Sequence, residues 1–527
     1  MPTEIELKLA LDPAATPALL RHPALRAVRR ARMRTMRLAN VYFDTPDSLL
    51  AAEDVALRVR HAGRRFLQTI KGPPGQGAGA GLSARAEHEW PLTRPELDLA
   101  LLSTTPWRKL LAATPEHGGL APCFTTDFER RTIPLRFPDG TLALLCVDRG
   151  EIRATCDGST RRAPIAEIEI ELETGTVANL YRLALALARD LPVAVMTMSK
   201  AERGHALRRG ERDMVEAPVR ARDVPLASDA LAADALATLV RSCLHQIAAN
   251  AAGLLADDDP EWVHQMRVGT RRLRSCLALI GPLAPSPALD FLQAEARWLA
   301  GVLGSARDLD VFTRETLPPL AARFAPDTAT AAGLKRLRGR ALAHRRAARA
   351  AARHAVGSPR FPGMLLAGGL FCATPRFESG APASPPVQRD PLDGPAAEFA
   401  RALLARRHRK LHRRAASLAT ASPEERHAAR IAAKRLRYVA EFFCSLFPRK
   451  RFRAYLKALG ALQDVLGRLN DTATALRVAS ETGGPGSDAA IGAVHGWVAA
   501  QAAALEPDLA SVCREFAGAK PFWTRGD

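Results

Sequence analysis

The stretch that decides the fold of the N-terminal region is Glu4-Ile5-Glu6-Leu7-Lys8-Leu9, in which charged and apolar residues alternate strictly. Because successive side chains of a β-strand point to opposite faces, the three charged side chains share one face and the three apolar ones share the other. The same period recurs at Val55–Arg60, Arg85–Trp90 and Glu167–Leu172. The pattern therefore predicts a sheet with one charged face and one apolar face.

Further strand candidates bring the total to about eight in the first 175 residues. The shorter or noisier ones are Asn40–Asp44, Arg65–Lys71, Thr125–Ile133 and Leu142–Arg149. Turn signals such as Thr45-Pro46-Asp47 and Pro138-Asp139-Gly140 separate them. Helices are expected near Leu97–Ala113 and Val177–Asp190.

Like charges two residues apart recur in strand after strand, as at Arg58 and Arg60, Glu87 and Glu89, and Glu167, Glu169 and Glu171. A single strand of this kind is an ordinary solvent-facing strand. Like charges on one strand face repel, so their repetition indicates charged faces that converge on a ligand. A closed barrel with a charged lumen satisfies the pattern, and a divalent metal with a polyphosphate is the chemically suitable filler.

Seven short motifs follow one another in this region: the ExExK stretch Glu4–Lys8, Tyr42–Pro46, Leu57–Arg60, Thr69–Lys71, Glu87–Glu89, Val147–Gly150 and Ala166–Glu169. In sequence and order they resemble the motifs of the CYTH superfamily, the triphosphate tunnel metalloenzymes. Roughly residues 2–206 resemble this family, which includes class IV adenylate cyclases and thiamine triphosphatases. The resemblance implies an eight-stranded antiparallel β-tunnel with flanking helices that hydrolyses or cyclises a triphosphate with Mg²⁺ or Mn²⁺.

The resemblance also implies roles for individual residues. Phosphate groups would be bound by Lys8, Arg58, Arg60, Lys71, Arg130 and Lys200, the last of which would close the site. Metal would be held by Glu4, Glu6, Glu87, Glu89, Asp148, Glu167 and Glu169. Water would attack a terminal phosphoryl group in line, with Glu4, Glu6, Lys8 and Lys71 at the centre of the catalysis.

Two positions in the tunnel motifs leave a choice open. Arg130 is preferred to its neighbour Arg131 because it shares a strand face with Thr126 and Phe128. Glu171 either faces the lumen or lies beyond the rim of the tunnel.

The composition is that of a globular protein of two or three domains with a basic second half. The chain has 527 residues and a formal net charge of +20. Residues 229–527 carry 42 basic and 27 acidic residues, a net charge of +15, which predicts an acidic partner.

The 8 cysteines are scattered and are expected to be reduced. The longest apolar run, near Met364–Ala373, is about half a membrane span, and the N-terminus does not resemble a secretory signal. A cytoplasmic protein is expected, with association with polyphosphate granules as an open alternative.

The second half contains an internal repeat. The cations of His264–Arg274 occur at offsets 0, 3, 7, 8 and 10, and those of His427–Arg437 repeat these offsets 163 residues later. The same shift carries Arg307-Asp308 onto Asn470-Asp471 and His245 onto His408. We therefore predict an all-α domain made of two duplicated helical units, about 229–374 and 396–516, divided by the Pro-rich stretch Pro375–Pro395.

On a helix, most of these cations form one stripe, and Met266, Leu273, Leu277 and Ile280 lie on another face that would pack the core. A charge run is often only a solvated face, but two facing basic stripes would form a groove for a linear polyanion. The motifs resemble those of the CHAD domain over residues 229–516, and this resemblance implies polyphosphate binding. The residues expected to bind are His264, Arg267, Arg271, Arg272, Arg274, Arg307, His427, Arg430, Lys434, Arg435 and Arg437.

The predicted organisation is a catalytic tunnel at 1–206, a linker at 207–228 and a helical polyphosphate-binding domain at 229–516. The favoured function is hydrolysis of tripolyphosphate to pyrophosphate and phosphate, with long-chain polyphosphate as the partner of the helical domain. Two alternatives stay open: a polyphosphate-targeting protein with an incidental tunnel, and a different tunnel chemistry on nucleotides or thiamine triphosphate. Nucleic acid is a less favoured partner, because only 5% of the residues are aromatic and few lie among the basic stripes.

Overall fold

The computed structural model describes residues 3–75, 79–156, 158–210, 217–325, 328–374, 390–418 and 420–524. Tertiary contacts divide the chain into two compact units, which are described separately. The first unit comprises Met1–Val219, Arg241–Asp257 and Gly357–Phe377. The second comprises Arg220–Val240, Asp258–Val356 and Glu378–Asp527.

The first unit is built on a closed antiparallel β-barrel. Its strands are β1 (Thr3–Leu11), β2 (Arg34–Asp44), β3 (Ala56–Ala62), β4 (Arg65–Pro74), β5 (Leu82–Leu92), β6 (Ala121–Arg136), β7 (Leu142–Cys156), β8 (Ser159–Thr174) and β9 (Val193–Val195). The hydrogen-bonded order is β5-β4-β3-β2-β6-β7-β8-β1, and β1 pairs with β5 to close the ring. The short β9 pairs with the end of β1. The prediction of an eight-stranded antiparallel tunnel is confirmed.

The strand register explains why the charges converge inside the barrel. Residues directly opposite each other in an antiparallel pair have side chains on the same face. Lys8 lies opposite Glu169, and Arg130 lies opposite Asp148. On the other side of the barrel, Lys71 of β4 lies opposite Glu87 of β5. Each cation is thereby aligned with a carboxylate of the neighbouring strand.

Helices surround this barrel. The helices of the first unit before the linker are α1 (Thr16–Arg21), α2 (Pro23–Val28), α3 (Leu49–Ala52), α4 (Leu99–Leu102), α5 (Arg108–Ala113), α6 (Val177–Asp190) and α7 (Lys200–Arg209). The apolar residues of the charged strands, such as Leu7, Leu9 and Ile168, are fully buried, as the alternation predicts. The helix α6 occupies the predicted range and contacts β8 and β9.

A later segment of the chain also packs in this unit. The helix α14 (Arg360–Ala373) contacts α6 and β9. A Cβ atom at Gly369 would lie 2.1 Å from the ring of Tyr181, so only glycine allows this approach. The Tyr181 hydroxyl is fixed by donating a hydrogen bond of 3.0 Å to the carbonyl of Gly79. Residues from within the predicted helical domain are therefore part of the barrel unit.

The second unit is helical. The remaining helices of the chain are α8 (Ala232–Ala249), α9 (Ala251–Ala256), α10 (Pro260–Ile280), α11 (Pro287–Val311), α12 (Leu317–Ala321), α13 (Ala329–Gly357), α15 (Ala396–Ala415), α16 (Pro423–Phe442), α17 (Arg449–Thr482) and α18 (Asp488–Gly518). The helix α8 runs across the division between the units, and α9 belongs to the first. A π-helical segment, Phe312–Thr316, follows α11.

Packing in the second unit follows the internal repeat. The helix α10 contacts α11, and its counterpart α16 contacts α17; across the repeats, α10 contacts α16 and α11 contacts α17. The predicted core side chains of α10, Met266, Leu273, Leu277 and Ile280, are all buried. This confirms the predicted apolar face.

Two predicted connections lie partly outside the described residues. The helix α7 continues to Arg209, residues 211–216 are not described, and residues 217–230 form neither helix nor strand. Of the Pro-rich stretch, residues 375–389 are not described. In the described part of the chain, none of the helices combines the length and the apolar character needed to cross a membrane.

Candidate functional site

The barrel encloses a cavity of about 530 Å³. Its lining comes from β1, β2, β3, β4, β5, β6, β8 and the start of α7. Eleven of the residues predicted for the tunnel line it, namely Glu4, Glu6, Lys8, Arg58, Arg60, Lys71, Glu87, Glu89, Arg130, Glu169 and Lys200. The structure therefore brings together residues that are spread over almost 200 positions of sequence.

Asp148 and Glu167, which were also predicted to hold metal, lie in a buried cluster beside the cavity and do not line it. Together with Glu169 they present carboxylate oxygens within 4.8 Å of one another. The Lys200 ammonium contacts all three carboxylates, at 2.7 Å from Asp148 and 3.0 Å from Glu169. Arg203 lies 2.6 Å from Glu167. This cluster is already compensated by cations of the chain.

Arg130 connects this buried cluster to the cavity. Its guanidinium donates two hydrogen bonds to Asp148, of 2.8 and 2.7 Å, and it also contacts Glu169 and Glu171. These carboxylates outweigh the effect of burial and raise the pKa of Arg130. The neighbouring Arg131 lies on the other strand face and pairs with Glu129. The preference for Arg130 over Arg131 therefore agrees with the geometry.

A second carboxylate cluster opens directly into the cavity. It consists of Glu4, Glu6 and Glu171, whose oxygens also lie within 4.8 Å of one another. Glu4 contacts Lys71, and Glu6 lies 2.9 Å from Lys8. Burial and the nearby carboxylates outweigh Arg130 and raise the pKa of Glu171. The open question about Glu171 is answered, because its side chain faces the lumen.

Two cations of the cavity, Arg58 and Arg60 on β3, have no close carboxylate partner among the described residues. Arg58 is buried, its Nε has no hydrogen-bond partner among the described residues, and its closest carboxylate, Glu87, lies 3.8 Å away. Arg60 donates a hydrogen bond of 3.0 Å to Asn40, and no described carboxylate lies within ion-pair distance of it. Burial and the neighbouring Arg58 and Arg130 lower the pKa of Arg60 to about 10. Arg60 is therefore a cation without a paired carboxylate, and Arg58 beside it has only a long contact with Glu87.

The helix α7 holds Lys200 in place at the cavity. Its N-terminus is a capping box in which Ser199 and Glu202 satisfy each other's backbone N–H groups. Glu202 also accepts from Arg85 of β5, at 3.3 Å. The capping box was visible in the sequence as Ser-x-x-Glu, but the sequence analysis did not predict this helix or the positions of Arg85 and Arg203.

In the helical unit, four cations of the two predicted stripes meet. Arg271 of α10 lies close enough that, together with burial, it lowers the pKa values of Arg267 on the same helix and of Arg430 and Lys434 on α16. Burial and the three arginines lower the pKa of Lys434 to about 7. The predicted facing of the two basic stripes is thus present at these positions.

Carboxylates of the neighbouring helices contact the stripes in a repeated arrangement. Arg267 lies 3.9 Å from Asp308, and Arg430 lies 3.8 Å from Asp471, at the same shift of 163 residues. His427 lies 3.1 Å from the side-chain oxygen of Asn470. His264 is half-buried, and burial together with Arg307 lowers its pKa. The two separated sequence motifs of each repeat therefore form one surface.

Two residues predicted for the stripes are engaged elsewhere. Arg272 is buried, stacks on Phe442 at 5.0 Å and lies 3.3 Å from Glu441. Arg437 donates to the same Glu441 at 2.7 Å. Consecutive helix residues are about 100° apart, so Arg272 points away from the stripe of Arg271 and into the packing with α16. Arg274 and Arg435, in contrast, are exposed.

Fold and lining define the first unit as a β-tunnel with an inward-facing set of carboxylates and cations, joined to a helical unit with a basic surface. Residues 2–204 match the family model of the CYTH domain, and residues 238–480 match that of the CHAD domain. The chain therefore carries a CYTH domain followed by a CHAD domain, as the motifs predicted.

Known proteins resemble the two parts separately. An inorganic triphosphatase of Haemophilus influenzae is 31% identical over 206 residues, which are 39% of this chain and 54% of the relative. The chain thus matches about half the length of this relative. The CHAD domain of Ricinus communis is 36% identical, with a TM-score of 0.49, over 58% of this chain and 98% of that one. HpAC1 of Hippeastrum, which has a dominant triphosphatase activity, is 22% identical, with a TM-score of 0.28, over 39% of this chain and 96% of that one.

Proposed function

We propose that the protein is a metal-dependent inorganic triphosphatase that hydrolyses tripolyphosphate to pyrophosphate and phosphate, and that its CHAD domain binds inorganic polyphosphate. One observation carries the tunnel assignment. A single cavity contains both Arg60, which has no carboxylate within ion-pair distance among the described residues, and three carboxylates, Glu4, Glu6 and Glu171, whose oxygens lie within 4.8 Å of one another. A metal–triphosphate complex would bring negative charge to the first and a divalent cation to the second.

The cationic side of the cavity suits the phosphate chain. The guanidinium groups of Arg58 and Arg60 can each offer two N–H donors to phosphate oxygens. Lys8, Arg130 and Lys200 carry further positive charge along the lining. These side chains would bind and orient the phosphates, and burial would strengthen each contact because it excludes water.

The carboxylate side suits a divalent metal. Glu4, Glu6 and Glu171 provide hard oxygen donors that suit Mg²⁺ or Mn²⁺, with Glu87 and Glu89 in the same lining. When bound, the metal would withdraw charge from the phosphoryl group and lower the pKa of a water molecule. Because Lys200, Arg203 and Arg130 already neutralise Asp148, Glu167 and Glu169, we assign that cluster primarily to positioning Lys200.

The lining favours attack by water on a small inorganic substrate. Of the described residues that line the cavity, none is a histidine or a cysteine, so a protein nucleophile with a histidine base has no support. The aromatic side chains of the lining are Tyr42 and Phe128. Tyr42 accepts a hydrogen bond from Arg58, and Phe128 lies under Lys200 at 5.1 Å. Both rings are buried, so neither of these side chains offers a free face to a nucleobase, which disfavours nucleotide cyclisation.

The basic surface of α10 and α16 supports the second part of the proposal. Arg267, Arg271, Arg430 and Lys434 concentrate four cations, and Asp308 and Asp471 offset only part of this charge. A polyanion bound there would replace the mutual repulsion of these groups with ion pairs. Linear polyphosphate suits such a surface better than nucleic acid, because Tyr438 is the one aromatic side chain that lines the described groove around Lys434.

Substrate profiling tests the tunnel assignment. With Mg²⁺ or Mn²⁺, we expect the purified protein to release phosphate from tripolyphosphate far faster than from ATP, thiamine triphosphate or long-chain polyphosphate. Glu4→Gln should abolish turnover, because it removes a charged metal ligand, while Glu129→Gln, which changes a carboxylate outside the barrel, should leave it intact. Comparable ATP turnover or formation of cyclic AMP would contradict the substrate assignment.

Paired variants test the division between the two domains. Lys71→Ala should abolish turnover and leave polyphosphate binding unchanged, with the exposed Lys109→Ala as its control. Replacing Arg267, Arg271, Arg430 and Lys434 with glutamine should weaken polyphosphate binding and leave tripolyphosphate turnover unchanged. If the tunnel variant weakens polyphosphate binding as much as the helical variant does, the assignment of binding to the helical domain is wrong.

A further inference from the structure

A second basic groove lies between α15 and α16 in the helical unit. It has a volume of about 520 Å³ and is rimmed by six cations, Arg406, Arg407, Lys410, Arg413, Arg414 and Arg435. Its floor is formed by Ala428, Ile431 and Ala432, and Ile431 is one of the few large apolar side chains exposed in this unit. Of the six cations only Arg435 belongs to the sequence motifs, and the proposed tunnel chemistry does not account for the groove.

The six cations have no anionic partner in the described part of the chain. Arg407 donates a hydrogen bond of 3.0 Å to the carbonyl of Arg435, and Arg414 donates one of 2.5 Å to the carbonyl of Ala428. Burial and the neighbouring Arg435 and Arg406 lower the pKa of Arg407 to about 10. The aliphatic side chains of the floor offer no acceptor, so the groove holds cations that repel one another and lack a counterion from the described part of the protein.

This groove is continuous with the basic surface described above. A neighbouring groove of about 490 Å³ is lined by Arg271, Lys434 and Arg297, and it shares Arg407, Ile431 and Arg435 with the first. The positive surface therefore runs from the predicted stripe, across α16, to the last three turns of α15.

The internal repeat shows that the groove is an addition to one half of the domain. A shift of 163 residues places Cys243, Leu244 and Ile247 at the positions of Arg406, Arg407 and Lys410. These three counterparts are apolar and buried. Arg406, Arg407 and Lys410 of α15 are therefore not inherited from the duplicated motif, whereas Arg435 of α16 corresponds to Arg272 of that motif.

We propose that the groove between α15 and α16 binds a second segment of the same inorganic polyphosphate chain that the stripe binds. This inference rests on the polyphosphate binding proposed for the CHAD domain. Continuity of the surface favours one long chain over two separate ligands. The groove is lined by no described aromatic side chain that could stack a base, so the phosphate chain is favoured over nucleic acid. Two linked segments raise the affinity for long chains above that for short ones.

The test compares short-chain and long-chain polyphosphate binding in the full chain. Arg406→Gln, Lys410→Gln and Arg413→Gln are combined, because these exposed side chains make no hydrogen bond to the rest of the described structure. Arg449→Gln, Lys450→Gln and Arg451→Gln at the start of α17 form a control with the same change in net charge. We expect the groove variant to lose about tenfold or more in affinity for long chains and little for short chains. The control should lose little for either.

The other outcomes separate the inference from the function on which it rests. Equal losses for both chain lengths, or an unaltered affinity for long chains, would overturn the groove while leaving the stripe intact. A larger loss in binding of single-stranded RNA than of polyphosphate would overturn the choice of ligand. Failure of the unmodified protein to bind polyphosphate of any length would overturn the function proposed for the CHAD domain, and the groove assignment with it. Equal melting temperatures of the variants exclude unfolding as the cause.

Discussion

Replacing Arg60 with methionine should make the protein more stable while weakening its binding of metal–tripolyphosphate. Arg60 is half-buried in the barrel and has no carboxylate within ion-pair distance among the described residues, although Glu89 attracts it from farther away. A fall of its pKa from 12.5 to about 10 corresponds to roughly 3 kcal/mol of unfavourable free energy for the charged form in the folded state. Because the folded-state pKa lies below the unfolded value, this cost is fully present at neutral pH and is lost only as the pH rises above about 10.

Removing the Arg60 charge removes this cost, but losing the hydrogen bond of the side chain offsets part of the gain in stability. Arg60→Met removes the hydrogen bond to Asn40, and an unsatisfied buried group costs about 1–3 kcal/mol. The net expectation is an increase of about 1 kcal/mol in the free energy of unfolding, measured by urea denaturation without ligand. Calorimetric titration with tripolyphosphate and Mg²⁺ should show weaker binding, because the cation that would contact phosphate is missing.

The same substitution at Arg130 is a matched control, for which we expect the free energy of unfolding to change in the opposite direction. Arg130 is equally buried, but it pairs with Asp148, Glu169 and Glu171. Breaking a buried ion pair leaves uncompensated charge and costs about 3–5 kcal/mol, so Arg130→Met should strongly destabilise the protein. If Arg60→Met destabilises the ligand-free protein to a similar extent, Arg60 is not an uncompensated cation and the reasoning for the phosphate site fails.

Three further predictions concern the pH dependence, the packing and the metal. The affinity of the CHAD domain for polyphosphate should fall as the pH is raised from about 6 to about 8, because Lys434, with a pKa of about 7, loses its proton. Lys434→Arg should abolish this pH dependence, because arginine stays charged. If the variant keeps the pH profile, a group other than Lys434 causes it. Gly369→Val should destabilise the protein by about 1–3 kcal/mol in thermal denaturation, because the new side chain overlaps the Tyr181 ring. Gly363→Ala in the same helix is the control, because a Cβ atom there meets no atom within 4 Å. This change should be neutral or stabilise the protein by up to about 1 kcal/mol. A chelator should stop phosphate release but leave polyphosphate binding unchanged, and turnover that survives exhaustive chelation would contradict the metal assignment.

The barrel was predictable because its strands obey a simple period. Alternation along the sequence identified all eight strands of the barrel. Several predicted strands are shorter than the observed ones, because the alternation breaks before the strand ends: β6 begins at Ala121 and not at Thr125, and β7 continues to Cys156 and does not end at Arg149. The three-residue β9 was missed because a stretch of that length has no measurable period. The resemblance carried by the seven motifs then supplied the tunnel residues, most of which line one cavity.

Features that depend on how separate elements meet were not predictable in the same way. The roles of Arg85 and Arg203 follow from the position of α7, which no strand or repeat pattern encodes. Arg272 shares a motif with Arg271, but one step along a helix rotates it into the packing against Glu441. The place of α14 in the barrel unit depends on a contact between Gly369 and Tyr181, which are far apart in sequence.

Crystallography of the protein soaked with tripolyphosphate and Mn²⁺ tests the central claim most directly. The account predicts an anomalous manganese peak among the carboxylates of Glu4, Glu6 and Glu171, and phosphate density within hydrogen-bond distance of Arg58 and Arg60. Manganese and phosphate bound outside the barrel, with the cavity filled only by water, would contradict it.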